Sequence, residues 1–331
     1  MVGKETFGRL VVVLVGTVVL AVAAVGLFVV YPTSMVELAG VLLAIVTVAV
    51  GIRVFGGIGR SLFPSYDVAE VAIEGPITRD GGGGPLPSSP RGVGADAVVG
   101  QIERADADGS VDALIVKINT PGGEIVPSDD IRRAVADFDG PVIAYATDLC
   151  ASGGYWIASG CDELWAREVS LVGSIGVIGS RVVATELAEK VGLQYEGFTA
   201  GQYKDAGVPL KEMTDDERQY FQNLVDEWYE EFIERVSAGL DLEPDVIRET
   251  EARVYLGKTA AERDLVDAVG TREDVEDALA DRLGRESVTV ETFEPPRPLV
   301  SRVGAGASSI AYAFGAGVAS VARERPFELR L

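Results

Sequence analysis

Asn119-Thr120-Pro121-Gly122-Gly123 closes an apolar run, Ala113 to Ile118, and Ala151-Ser152-Gly153-Gly154-Tyr155-Trp156 follows about 30 residues later, shortly after a second run, Pro141 to Ala146. Both runs are short, apolar and bounded by turn residues, the pattern of buried strands. Between them Asp129 to Phe138 has helical spacing. Strand, glycine turn, helix, strand and serine-glycine turn make a parallel α/β unit. Working outward, Val68 to Ile73 predicts a strand, and Gly94 to Ala105 and Arg272 to Leu283 predict helices. Asp215 to Leu240 predicts a long helix opened by a capping box, Thr214 with Glu217. Its apolar residues Tyr220, Leu224, Trp228, Phe232, Val236 and Leu240 fall four apart, one stripe for the core or for another subunit. Asp80-Gly81-Gly82-Gly83-Gly84-Pro85-Leu86-Pro87 has no strand-to-helix phosphate context, so it is a loop and not a nucleotide site.

Leu10 to Val30 is uncharged for 21 residues, enough to cross a bilayer as a helix. A cleaved signal peptide is the alternative, since Ala21-Val22-Ala23 has the small-x-small form. After Tyr31-Pro32-Thr33-Ser34 a second apolar stretch predicts another span at about 38–58, with Arg53 snorkelling. The division expected is a membrane anchor at 1–60, a catalytic domain at 66–290 and a Pro-linked, Gly/Ala-rich tail at 291–331. Within the tail, Val303 to Ala322 is uncharged and suits an interfacial or packing segment. Lys4 and Arg9 precede the first span, and Arg53 and Arg60 follow the second. If both spans insert, that bias puts the domain on the cytoplasmic side of the cell membrane; if only the first does, the domain lies outside.

The 331 residues carry a net charge of −22, and residues 67–331 hold 49 of the 51 acidic and 25 of the 29 basic side chains. So acidic a surface repels phosphate backbones, which excludes nucleic acid as a partner. Acid excess with 23 Arg against six Lys is the balance of a protein from a halophile, working in concentrated salt. Cys150 and Cys161 form neither a disulfide framework nor a metal-ligand spacing and predict buried hydrophobes. The chain has no histidine and no calcium-loop pattern, so neither a metal nor another cofactor is expected.

Ser152 precedes a short helix, Gly153 to Ser159, whose first N–H groups have no partner within the helix and can bind a developing oxyanion. On its own, an isolated Ser-Gly-Gly reads better as a simple N-cap. If it does chemistry, its base is not an imidazole. Lysine is the other side chain that can become a neutral amine near pH 7, and the chain has six: Lys4, Lys117, Lys190, Lys204, Lys211 and Lys258.

The order of elements, with the Gly122-Gly123 and Ser152-Gly153 turns, resembles the Clp protease and crotonase superfamily, an α/β fold of repeated ββα units. Leu171-Val172-Gly173-Ser174-Ile175-Gly176-Val177, Gly201-Gln202-Tyr203-Lys204-Asp205-Ala206-Gly207, Arg253-Val254-Tyr255-Leu256-Gly257 and Leu265-Val266-Asp267 resemble ordered blocks of the signal peptide peptidase A family, membrane-bound Ser/Lys proteases. The similarity covers about residues 67–285. It implies a serine endopeptidase with Ser152 as nucleophile, Lys204 as general base, Ser174 orienting the lysine, and the N–H groups of Gly123 and Gly153 as oxyanion hole. It also implies a homo-oligomer whose neighbouring subunits share each site. The implied substrates are signal-peptide remnants or other extended hydrophobic peptides, cut near the lipid bilayer. Asp205 should then point away from Lys204, since pairing would keep the base protonated. Alternatives are a protease of membrane quality control or of stomatin-type proteins, and a catalytically silent peptide-binding scaffold. An acyl-CoA enzyme is disfavoured, because CoA phosphates would meet an acidic surface.

Overall fold

The structure is a computed structural model that describes residues 4–26, 36–62, 65–82 and 92–295. Most of the glycine loop and the Val303 to Ala322 segment lie outside the described residues. In chain order, α1 (Lys4–Val25) and α2 (Val36–Leu62) are followed by β1 (Val68–Glu74), β2 (Ile77–Thr78), β3 (Val93–Gly94), α3 (Ala95–Asp106), β4 (Ala113–Thr120) and α4 (Ile125–Ala136). Then come β5 (Val142–Ala151), α5 (Gly153–Ala158), β6 (Glu163–Ala166), β7 (Leu171–Gly173), α6 (Thr185–Lys190) and α7 (Asp215–Leu240). The described chain ends with α8 (Pro244–Glu249), β8 (Val254–Leu256), α9 (Gly257–Ala261), β9 (Ala268–Val269), α10 (Arg272–Arg282) and β10 (Val290–Thr292).

The main sheet runs β10-β1-β4-β5-β6-β9 with every neighbouring pair parallel. Side chains alternate between its faces, as the period of two requires. Val68, Ala113, Ile115, Ile143 and Tyr145 point one way and pack on Val275 and Leu279 of α10. Ala69, Val71, Leu114, Val116, Ile118 and Ala144 point the other way, into a core with Val98 and Ile102 of α3, Ile131 and Val135 of α4, and Tyr155 of α5. Cover on both faces explains why β4 reads as an unbroken apolar run. Cys150 and Cys161 are buried and free, as expected of small hydrophobes.

Three elements differ from the sequence reading. α4 begins at Ile125 instead of Asp129, because Pro127 falls in its first turn, where a missing N–H breaks no helical bond. β5 runs on to Ala151 instead of stopping at Ala146. It changes partner on the way: Ile143 to Ala146 pair with β6, and Leu149 to Ala151 pair with β7. The polar Thr147-Asp148 at the change hides the continuity in the sequence. In α7 the capping box is present, Glu217 N–H to Thr214 Oγ1 at 3.3 Å and Thr214 N–H to Glu217 Oε2 at 2.9 Å. Its apolar stripe divides, however. Phe232 and Val236 are buried, while Tyr220 and Trp228 are 40% and 46% exposed.

Among the described residues α1 alone is long and apolar enough to cross a membrane, over Phe7–Val25. The apolar part of α2 is shorter, Leu43–Gly59, in the helix that covers the span expected at about 38–58.

Candidate active site

Parallel sheets gather their ligand sites at the carboxyl ends of the strands. Here β4 and β5 end side by side, Thr120 in register with Cys150, and each runs into a glycine turn. Only Gly122 takes a positive φ, +92°. Gly123 is needed for a different reason. Ile77 N–H donates to Gly122 O and Glu124 N–H donates to Ile77 O, both at 2.9 Å, which presses residue 123 flat against β2. A Cβ there would lie 2.0 Å from Ile77 O. The Gly123 N–H belongs to neither bond; its nitrogen lies 3.2 Å from where a Cβ on Gly153 would sit, so the two turns abut.

Ser152 occupies the step from β5 into α5 with φ 53° and ψ −118°, a region that favours glycine. Its N–H donates to Gly173 O at 3.0 Å and its carbonyl accepts from Trp156 N–H at 2.9 Å. The backbone is therefore held at both ends. The side chain makes no capping bond, so Ser152 is not the simple N-cap that the sequence allowed. Gly153 N–H opens α5 and has no intrahelical acceptor. Ser174 leaves β7 at the same step at which Ser152 leaves β5, since Ala151 pairs with Gly173. It too has φ 53°, and its N–H is fixed on Arg253 O at 2.9 Å.

Ser152, Gly123 and Gly153 line a cleft of about 100 Å³, walled by Ile125, Trp156, Val177, Trp228 and Phe232. The sequence reading missed these walls. Trp156, one helical turn after Ser152, was the available signal. Its indole Nε1–H donates to Asp129 Oδ1 at 3.2 Å and its ring centre lies 5.0 Å from that of Phe232. Trp228 also lines a larger groove of about 840 Å³, between α7 and the segment that follows β7.

Lys204 does not join this group within one chain. It is exposed, on a turn in which its N–H donates to Gly201 O at 3.2 Å, and it is not among the residues lining the cleft. Asp205 points away from it, as expected, onto Lys211 Nζ at 2.9 Å. Lys211 is itself paired a second time, holding Glu217 at 2.6 Å. Lys117 is tied to Glu74 at 2.9 Å, and that bond keeps its ammonium above the ordinary lysine range.

An unbonded serine hydroxyl beside two unpaired amides, in a chain without histidine, is the layout of a serine hydrolase that takes its base from elsewhere. Comparison with known proteins gives the family. The profile of Peptidase family S49 matches residues 136–285. A protein from Synechocystis sp. named "putative protease" is 35% identical over 203 residues, 60% of this chain and 73% of its own length. One of the same name from Methanocaldococcus jannaschii is 34% identical over 52% of this chain and 57% of its own. One from Enterococcus faecium named "putative signal peptide peptidase SppA" is 32% identical over 54% and 53%. Of the last two the chain spans little more than half. The chain belongs to peptidase family S49, the Ser/Lys serine peptidases.

Proposed function

We propose that the protein is a membrane-anchored serine endopeptidase in which Ser152 is the nucleophile and Lys204 of a neighbouring copy is the base. The observation that carries this is the Ser152 hydroxyl, free of any cap, beside the Gly123 and Gly153 amides. Ser152 Oγ attacks the peptide carbonyl while Lys204 Nζ takes its proton, and the oxyanion forms against the two amides. Lys204 returns the proton to the leaving amine, and water hydrolyses the acyl-enzyme. Ser174 orients the lysine. A neighbouring copy also supplies what the base lacks in a single chain: burial, which favours the neutral amine. The apolar side chains left exposed at Ile178, Phe198, Tyr220 and Trp228 suit such packing.

The substrates are extended hydrophobic peptides, signal-peptide remnants among them, because the cleft walls are aromatic and aliphatic. We read the domain as Clp protease/crotonase-like, in keeping with glycine turns at the carboxyl ends of a parallel sheet. The acidic, lysine-poor composition suits concentrated salt. With both helices across the bilayer the domain is cytoplasmic, with α1 alone it is external, and protease accessibility in sealed vesicles decides between them.

Labelling by a serine-reactive fluorophosphonate, on the detergent-solubilised full chain in high salt, tests the dyad. Wild type labels at Ser152, Ser152→Ala does not, and Lys204→Ala labels at least about a hundredfold more slowly, the scale of a lost general base. Equal rates for wild type and Lys204→Ala would remove the mechanism.

A further inference from the structure

A carboxylate next in the chain to a lysine base is a hazard. At about 4–6 Å an opposite charge stabilises the ammonium by roughly 1–3 pKa units. Asp205 follows Lys204 directly in the chain, yet its carboxylate is engaged elsewhere. Lys211 Nζ lies 2.9 Å from Asp205 Oδ1 and 2.6 Å from Glu217 Oε1. All three are sheltered, the Glu217 side chain at 4% exposure and Asp205 at 18%.

The cluster is built from several elements. Arg181, ahead of α6, donates Nη2 to the Lys211 carbonyl at 2.7 Å. Glu217, in the first turn of α7, also accepts from Thr214 N–H, so its carboxylate cannot follow Lys211 away from the helix. Tyr203 stacks on Tyr220 of α7 at 4.9 Å, pinning the other side of the turn that carries Lys204. The remaining charged groups on the same groove are Glu212 and Arg218. Glu217 first, then Asp205, hold the Lys211 ammonium above the ordinary lysine range.

We propose that Lys211 is a positioning residue that holds the Asp205 carboxylate against α7 and away from Lys204, leaving the Lys204 amine free to give up its proton. This rests on Lys204 being the base. With Lys211 removed, Asp205 loses its cation and turns to its chain neighbour Lys204, and the base is neutral only at higher pH. The role differs from plain structural support in its remedy, because removing the charge of Asp205 as well should undo the damage.

The test is the rate of fluorophosphonate labelling of Ser152 against pH, on the full chain in detergent, for wild type, Lys211→Met, Lys211→Arg, Lys211→Met with Asp205→Asn, and Lys204→Ala. Lys211→Met should move the midpoint of the profile upward by about one unit or more, a roughly tenfold slower rate on its acid side. Lys211→Arg should keep the wild-type midpoint, and the double variant should regain it. An unmoved midpoint in Lys211→Met overturns the proposal. So does a double variant as slow as Lys211→Met at every pH, which would mean that only folding had been damaged. If instead Lys204→Ala labels like wild type, the assignment of the base fails, a result separable from either.

Discussion

Chains carrying Ser152→Ala and chains carrying Lys204→Ala, each expected to be inactive alone, should regain peptide hydrolysis when they are assembled together. The gain follows from Lys204 being exposed and away from the Ser152 cleft within one chain. On the proposed dyad, a head-to-tail interface in a closed ring would give each serine the lysine of the next subunit. An equal mixture then pairs an intact serine with an intact lysine at roughly a quarter of its interfaces, and recovers about that share of wild-type activity. Co-purified mixtures assayed on a hydrophobic peptide report the result directly. Mixtures no more active than their parents would place both residues in one subunit and require the 201–214 turn to swing onto its own cleft.

Gly123→Ala should lower both labelling and hydrolysis by about a hundredfold or more, the scale on which one oxyanion donor acts. The methyl group would lie 2.0 Å from Ile77 O and 2.6 Å from Ile77 N, backbone atoms that cannot rotate aside. The turn must lift off β2, and its N–H then leaves the Gly153 amide. Because Gly123 lies outside the described core helices and the main sheet, the domain still folds, and circular dichroism should stay close to wild type. A folded Gly123→Ala protein within tenfold of the wild-type rate would take Gly123 out of the oxyanion hole.

The sequence showed most clearly what is local. The Gly122-Gly123 and Ser152-Gly153 turns and the Thr214–Glu217 cap each depend on neighbours within a few residues, and each stands where it was expected. What depends on distant partners was harder to see. The run of β5 past Thr147-Asp148 exists because a third strand, β7, takes over from β6 there. The apolar stripe of α7 reads as continuous, but Phe232 and Val236 are buried while Tyr220 and Trp228 stay partly exposed. The pairing of Lys211 was not legible, because its two carboxylates each lie six residues away, on opposite sides in the sequence. The opposition of Ser152 and Ser174 follows from strand register, which no spacing encodes.

The left-handed backbone at Ser152 also limits the chemistry open to this position. At φ 53° a β-branched side chain is strongly disfavoured, since its second branch meets the backbone. Threonine is thereby disfavoured at this position, although it carries the same hydroxyl. An unbranched cysteine fits the same torsion. Selection acting on this turn can exchange oxygen for sulfur, but it cannot add a methyl group, so the backbone angle decides which amino acids could ever serve there.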